Sequence, residues 1–151
     1  MPADIGDYRR YHFNKHPLYL ANQNYLMTEN ELSYKIRGAI FKVYNELGPG
    51  LLETIYEQVL AFELKLLGLH IKTQLALPFQ YAAMTFDSGF RLDILVEEKV
   101  IIELKSVENL HEVHHKQLLT YLKLTGLKLG ILVNFNTANI TTAIFRKVNG
   151  L

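Results

Sequence analysis

Residues 90–106, FRLDILVEEKVIIELKS, restrict the fold more than any other stretch of this chain. Two apolar runs of strand length flank a short polar turn, the pattern of an antiparallel hairpin. Side chains alternate faces along a strand, so Glu103 and Lys105 share one face and Val100, Ile102 and Leu104 the other. Asp93 stands between Leu92 and Ile94. A charge inside an apolar strand is costly unless a partner or a cation meets it. Loop length decides whether Asp93 meets Glu103. A two-residue loop at Glu97-Glu98 sets Asp93 opposite Ile102 and turns Glu103 away. A three-residue loop that includes Lys99 pairs Val96 with Val100 and sets Asp93 opposite Glu103, although no Gly supplies the left-handed residue such loops favour.

The flanking pattern supplies helices to pack on that hairpin. Thr28 and Glu31 form a capping box ahead of Leu32, Ile36, Ile40, Val43 and Leu47, a helical period that Gly48-Pro49-Gly50 ends. The spacing predicts a second helix over 51–67, stopped by Gly68, and a third over 110–124, stopped by Gly126. Strands are expected over 69–77, 79–86, 90–96 and 100–104, with Pro78 as a break and Asp87-Ser88-Gly89 as a turn. An apolar central strand over 129–135 and a short one over 141–148 follow. This order implies an α/β (α+β mixed) domain, a central mixed β-sheet flanked by helices. Residues 1–27, rich in Tyr, Asn and His, show no period and read as an N-terminal extension to a domain over 28–151.

A chain of 151 residues has room for one domain. The lack of cysteine excludes thiolate zinc sites, thiol nucleophiles and disulfides, and suits a reducing interior. No apolar run is long enough to span a membrane and the N-terminus has no apolar signal core, so a soluble cytoplasmic protein is expected. Net charge is +1 but unevenly placed. From Lys116 onward there are five basic residues and no acid, against eleven basic and fifteen acidic before it. That basic third is either a phosphate footprint or a solvated surface.

With an odd hairpin loop, two carboxylates oppose one another and repel without a cation. Oxygen ligands of this kind suit Mg²⁺ or Mn²⁺, and the carbonyl of Leu104 could add another. Lys105 could orient or polarise an attacking water and stabilise developing phosphate charge, which describes metal-assisted phosphodiester hydrolysis. The alternative is a surface salt-bridge cluster on a solvated sheet face, because an Asp, Glu and Lys at this spacing form a short and degenerate signal. Arg91, on the face of Asp93, either contacts phosphate or neutralises the acids.

Asp93 with Glu103-Leu104-Lys105 resembles the core motif of the PD-(D/E)xK nuclease superfamily. LGPGLLETIYEQVL, with Gly50, Glu53 and Tyr56, resembles the name-giving motif of the GxxExxY proteins within it, and VHHKQLLTYLKLTG and LGILVNFN are similar to that family's helix and following strand. The resemblance covers about residues 32–148. It implies a restriction-endonuclease-like core with a divalent metal at the hairpin. Asp93 and Glu103 are then ligands, Lys105 the catalytic lysine, Glu53 an accessory acid that reaches the metal directly or through water, and Gln117 with Tyr121 a supporting pair. The superfamily's Pro before the Asp is replaced by Leu92. Glu53 also has a plain reading: with Gly50 as N-cap it is the third helical residue, where an acid helps any helix, and Glu63 falls equally near the apolar arc.

Residues 111–115, HEVHH, match the H-E-x-x-H zinc-peptidase signature. A zincin needs a third ligand, and no His, Glu or Asp follows His115. His111, His115, Leu118 and Leu122 share one apolar stripe, which points to packing against the sheet. His114 instead aligns with Gln117 and Tyr121 along the flank of that stripe. These three are candidates for contact with a phosphate or its attacking water, or else an ordinary polar flank. Two functions are open: a metal-dependent nuclease acting on nucleic acid, DNA ahead of RNA, or a catalytically silent module binding nucleic acid or a protein. Either could work as a homo-oligomer or in a larger complex.

Overall fold

The computed structural model describes residues 26–151; residues 1–25, most of the expected extension, lie outside the described residues. Helix α1 (Glu29–Leu47) starts at the expected capping box: Thr28 Oγ1 accepts the Glu31 N–H at 3.2 Å and Glu31 Oε2 accepts the Thr28 N–H at 2.7 Å. Its buried stripe is Leu32, Ile36, Ala39, Ile40 and Val43. Helix α2 (Glu53–Leu66) begins later than expected, with Leu52 as N-cap, so Glu53 is the first helical residue and not the third. Glu63 pairs with Lys42 of α1, 3.0 Å away.

Strands β1 (Ile71–Tyr81), β2 (Met84–Val96) and β3 (Val100–Lys105) form an antiparallel meander. The expected break at Pro78 and turn at Asp87-Ser88-Gly89 are absent as chain reversals. Pro78 lies where the register shifts between Leu77 and Phe79, a bulge where no ladder bond is asked of it. The reversal falls instead at Ala82-Ala83, with Ala82 at φ 51°. Four expected strands are therefore three. After helix α3 (Glu112–Thr125), β4 (Leu129–Asn134) joins β3 in parallel, and β5 (Ile144–Val148) closes the sheet after a 3₁₀ turn at Ile140–Thr142. The sheet is mixed, with strands in sequence order and β3 in the middle. Every residue of β4 is buried, as a covered parallel strand requires.

Helices α1 and α2 cover one face around Leu60, Ile102, Leu129 and Val133; α3 covers the other through Leu118 and Leu122 on Ile101 and Leu132. This is a three-layer mixed α/β domain with a restriction-endonuclease-like arrangement. One detail of the hairpin positions the site. Ile71, Ile94 and Val96 pack under α1 and α2, yet Leu75, Leu77, Phe90 and Leu92, which follow them at even spacing on β1 and β2, pack under α3. The face changes at Gln74, whose φ is 50°, opposite Asp93. Among the described residues no helix is long and apolar enough to cross a membrane.

Candidate active site at the strand junction

The β2–β3 loop has the odd parity: Val96 pairs with Val100, Leu95 with Ile101 and Ile94 with Ile102. No glycine is needed because Glu97 and Glu98 themselves take φ 51° and 54°. The turn closes with the Lys99 N–H on the Val96 carbonyl at 2.9 Å, and Lys99 is the extra residue that restores register. Neighbours hold both strained acids. Glu97 accepts the His70 N–H at 2.7 Å, and Glu98 lies 2.6 Å from Lys72 Nζ.

Beyond Ile94 and Ile102 the ladder stops and side chains replace it. Glu103 Oε1 accepts the backbone N–H of Asp93 at 3.2 Å, and Asp93 Oδ2 accepts the N–H of Leu104 at 2.9 Å. In a strand the N–H and C=O of one residue project to the same side, so the Leu104 carbonyl also faces β2. Glu103 is only 4% exposed. Burial, followed by the charge of Asp93, pushes its carboxyl up to about 9. The protonated form of Glu103 is therefore favoured beside the charge of Asp93.

Helix α2 brings two more acids. Glu53 is raised by burial and Asp93, against the opposing pull of Lys105 and a backbone hydrogen bond with Ser106. Glu57, one turn on and 8% exposed, was not singled out by the sequence; burial, Asp93 and Glu53 raise it. Gln74 joins these groups, its amide donating to Glu57 at 2.8 Å and to Asp93 at 3.5 Å. Glu57 had a readable signal, being four residues after Glu53 on one helix face. Gln74 had none, because its left-handed backbone is set by the hairpin's change of face.

Helix α3 closes the other side. The Tyr121 hydroxyl is 3.0 Å from Gln117 Nε2 and is raised by burial and by the charges of Glu103 and Asp93. His114 Nδ1 accepts the His111 N–H at 3.1 Å, leaving Nε2 for other partners; burial, followed by Lys105, lowers its pKa. Arg91 lies on the exposed side, donating to the Gln74 carbonyl at 3.2 Å. Tyr56 is placed elsewhere: fully buried, it stacks on Phe135 at 4.4 Å and its hydroxyl ties Gly48 to Leu51, holding the loop before Glu53. The histidines of the HEVHH run have separate surroundings. His111 is the N-cap of α3, and His115 packs edge-on against Phe145 at 4.9 Å.

Among the described residues no three His, Cys, Asp or Glu side chains form a closed metal cage. Mg²⁺ does not require one, since it keeps several waters and is held by one or two carboxylates. The Asp93–Glu103 pair, with the Leu104 carbonyl facing the same side, could supply oxygen ligands of that kind. A family model described as the PD-(D/E)XK nuclease superfamily matches residues 30–147. No curated protein and no solved structure matches the chain.

Proposed function

The chain belongs to the PD-(D/E)XK nuclease superfamily, and from that premise we propose that it hydrolyses phosphodiester bonds of nucleic acid, DNA ahead of RNA, with Mg²⁺ or Mn²⁺. Within the superfamily we place it with the GxxExxY proteins, on Gly50, Glu53 and Tyr56. The observation that carries the reading is the pairing of half-buried Asp93 with buried Glu103, with Lys105 two residues on along the same strand.

Asp93, Glu103 and the Leu104 carbonyl would hold the cation, with Glu53 reaching it directly or through water. The cation supplies Lewis-acid polarisation of the phosphate and a more acidic water. The residues do the rest. Lys105 stabilises negative charge growing on the phosphate oxygens. Glu53, raised by burial and close to Lys105, accepts the proton of the water that attacks phosphorus; the bond to the leaving oxygen breaks and that oxygen takes a proton from solvent water. Gln117 and Tyr121 position a phosphate oxygen, His114 stands beside Lys105, and Tyr56 keeps Glu53 in place by fixing its loop.

A specific observation favours a second reading. Both carboxylates are already used by backbone N–H groups, so the pair could simply close the sheet in a silent module that binds nucleic acid or a protein. Labelled single- and double-stranded DNA and RNA, incubated with Mg²⁺ or Mn²⁺, separate the two. Cleavage by the wild type that disappears in both Glu103→Ala and Lys105→Ala supports the nuclease. Equal products from all three proteins, or none from any, leave the silent module.

A further inference from the structure

The face of the hairpin that packs under α3 continues past the edge of that helix. The register sets Phe79 opposite Phe86 and Tyr81 opposite Met84, so the four side chains share that face. Nothing among the described residues covers its outer part: Phe86 is 43% exposed, Met84 57% and Tyr81 66%. The rings form a connected series. Phe86 lies 6.2 Å from Phe79, Phe79 meets Phe90 edge-on at 5.6 Å, and Phe90 meets Tyr121 edge-on at 5.9 Å. Tyr121 is the residue whose hydroxyl takes a hydrogen bond from Gln117 at 3.0 Å and feels the charge of Glu103. An aromatic track thus leads from solvent towards the carboxylate pair.

We propose that this track is a stacking platform for the unpaired bases of a single-stranded nucleic acid, delivering the strand to Asp93 and Glu103. The inference rests on the nucleolytic reading above and names its substrate class. Every base offers a π-face to an aromatic ring, so such a track is tolerant of sequence. Bases within a duplex are stacked on one another and present no free face. The strip is made of rings and one thioether, with no branched aliphatic side chain of the kind that fills a helix-docking groove. From Gln74, beside Asp93, to Phe79 is about 16 Å of strand, so several nucleotides can be held while one phosphate reaches the acids.

The test uses the full chain in EDTA, where binding is read without cleavage, and follows anisotropy of fluorescein-labelled oligothymidylate and of a blunt duplex of equal length. The wild type is expected to prefer the single strand. Phe86→Leu, which keeps apolar surface and loses the ring, is expected to weaken binding about 5- to 150-fold. Phe86→Trp is expected to retain it. The chain has no tryptophan, so this variant carries one indole, whose emission falls when a base stacks on it. Unchanged binding by Phe86→Leu, unquenched indole emission, or equal affinity for the duplex overturns the proposal. So does a Phe86→Leu variant that merely turns a dimer into a monomer, since that assigns the strip to a second copy. Cleavage in Mn²⁺ is scored separately. Loss of the nuclease reading shows as no Lys105-dependent product with Phe86-dependent binding intact, and loss of the platform shows as the reverse.

Discussion

Asp93 and Glu103 each complete the other's strand: the Glu103 carboxylate accepts the Asp93 N–H at 3.2 Å, while the Asp93 carboxylate accepts the N–H of Leu104 at 2.9 Å. The junction therefore depends on two acids that electrostatics drives apart. Glu103 resolves the conflict by holding its proton to about pH 9, against an ordinary value of 4.5. Its folded pKa is raised, so the contribution is fully present below pH 4.5 and is lost as pH rises towards 9. Over that range the unfolded chain ionises freely and the folded chain resists. Glu103→Gln keeps the acceptor and removes the charge. We expect it to raise Tm on the order of 5 °C at pH 8 in EDTA, to flatten the fall of Tm between pH 5 and 9, and to abolish cleavage. Thermal melts across pH check this; a variant whose melting curve tracks the wild type at every pH contradicts it.

A cation at the same place should displace that proton. Mn²⁺ at about a hundred times its Kd is expected to stabilise the fold by roughly 2.7 kcal/mol, and binding should tighten as pH rises from 6.5 to 8.5 because less proton has to leave. Asp93→Asn should remove most of the Mn²⁺ effect. The measurement is Tm with and without Mn²⁺ at the two pH values, with proton release followed in weak buffer.

Tyr56 belongs to the motif on which the GxxExxY resemblance rests, and its position argues for a supporting role. Tyr56→Phe loses a hydroxyl that bonds Gly48 and Leu51. A cost of about 1–3 kcal/mol in urea unfolding is expected. Substrate affinity should stay within twofold of wild type, with kcat falling as the Glu53 loop loosens. A raised KM with normal stability would return Tyr56 to the substrate.

These cases show what the sequence could and could not say. The helices were legible because caps and apolar spacing are local, as with Thr28, Glu31 and the Leu32 stripe. The pairing of Asp93 with Glu103 was legible as a condition on loop parity, but not why Glu97 and Glu98 adopt left-handed backbone. Contacts with His70 and Lys72, more than twenty residues away in sequence, decide that. The long β1–β2 hairpin is not legible as one unit because Pro78 and Asp87-Ser88-Gly89 carry turn chemistry that a bulge also uses. Glu57 shares a helix face with Glu53, but its bond to Gln74 is not legible without knowing that Gln74 leaves the regular strand.

Gln74 can be tested through that backbone. At φ 50° a residue with a Cβ is strained, and here the bonds to Glu57 and Asp93 offset the strain. Gln74→Ala keeps the strain and loses both bonds; Gln74→Gly loses the bonds and the strain together. Gly is therefore expected to be the more stable replacement by about 1 kcal/mol, with both below wild type. Equal stability of the two, measured by urea denaturation, would mean that residue 74 relaxes out of its left-handed conformation.

Gly130 links the sheet to the supporting helix. A Cβ there would sit 2.7 Å from Leu118 Cδ1 and 2.9 Å from Cγ, and Leu118 is fully buried. Gly130→Ala must therefore push α3 away from β4, at a cost of about 1–3 kcal/mol. The same helix carries Gln117 and Tyr121, so cleavage should fall with the displacement, at temperatures well below Tm. Leu118→Ala opens the space that the new methyl needs. Alone it costs about 2–5 kcal/mol, but combined with Gly130→Ala the two costs should fall short of their sum by at least 1 kcal/mol. A double-mutant cycle in urea measures that coupling. Strict additivity would mean that the helix does not rest on Gly130, and that the position of Tyr121 is set elsewhere.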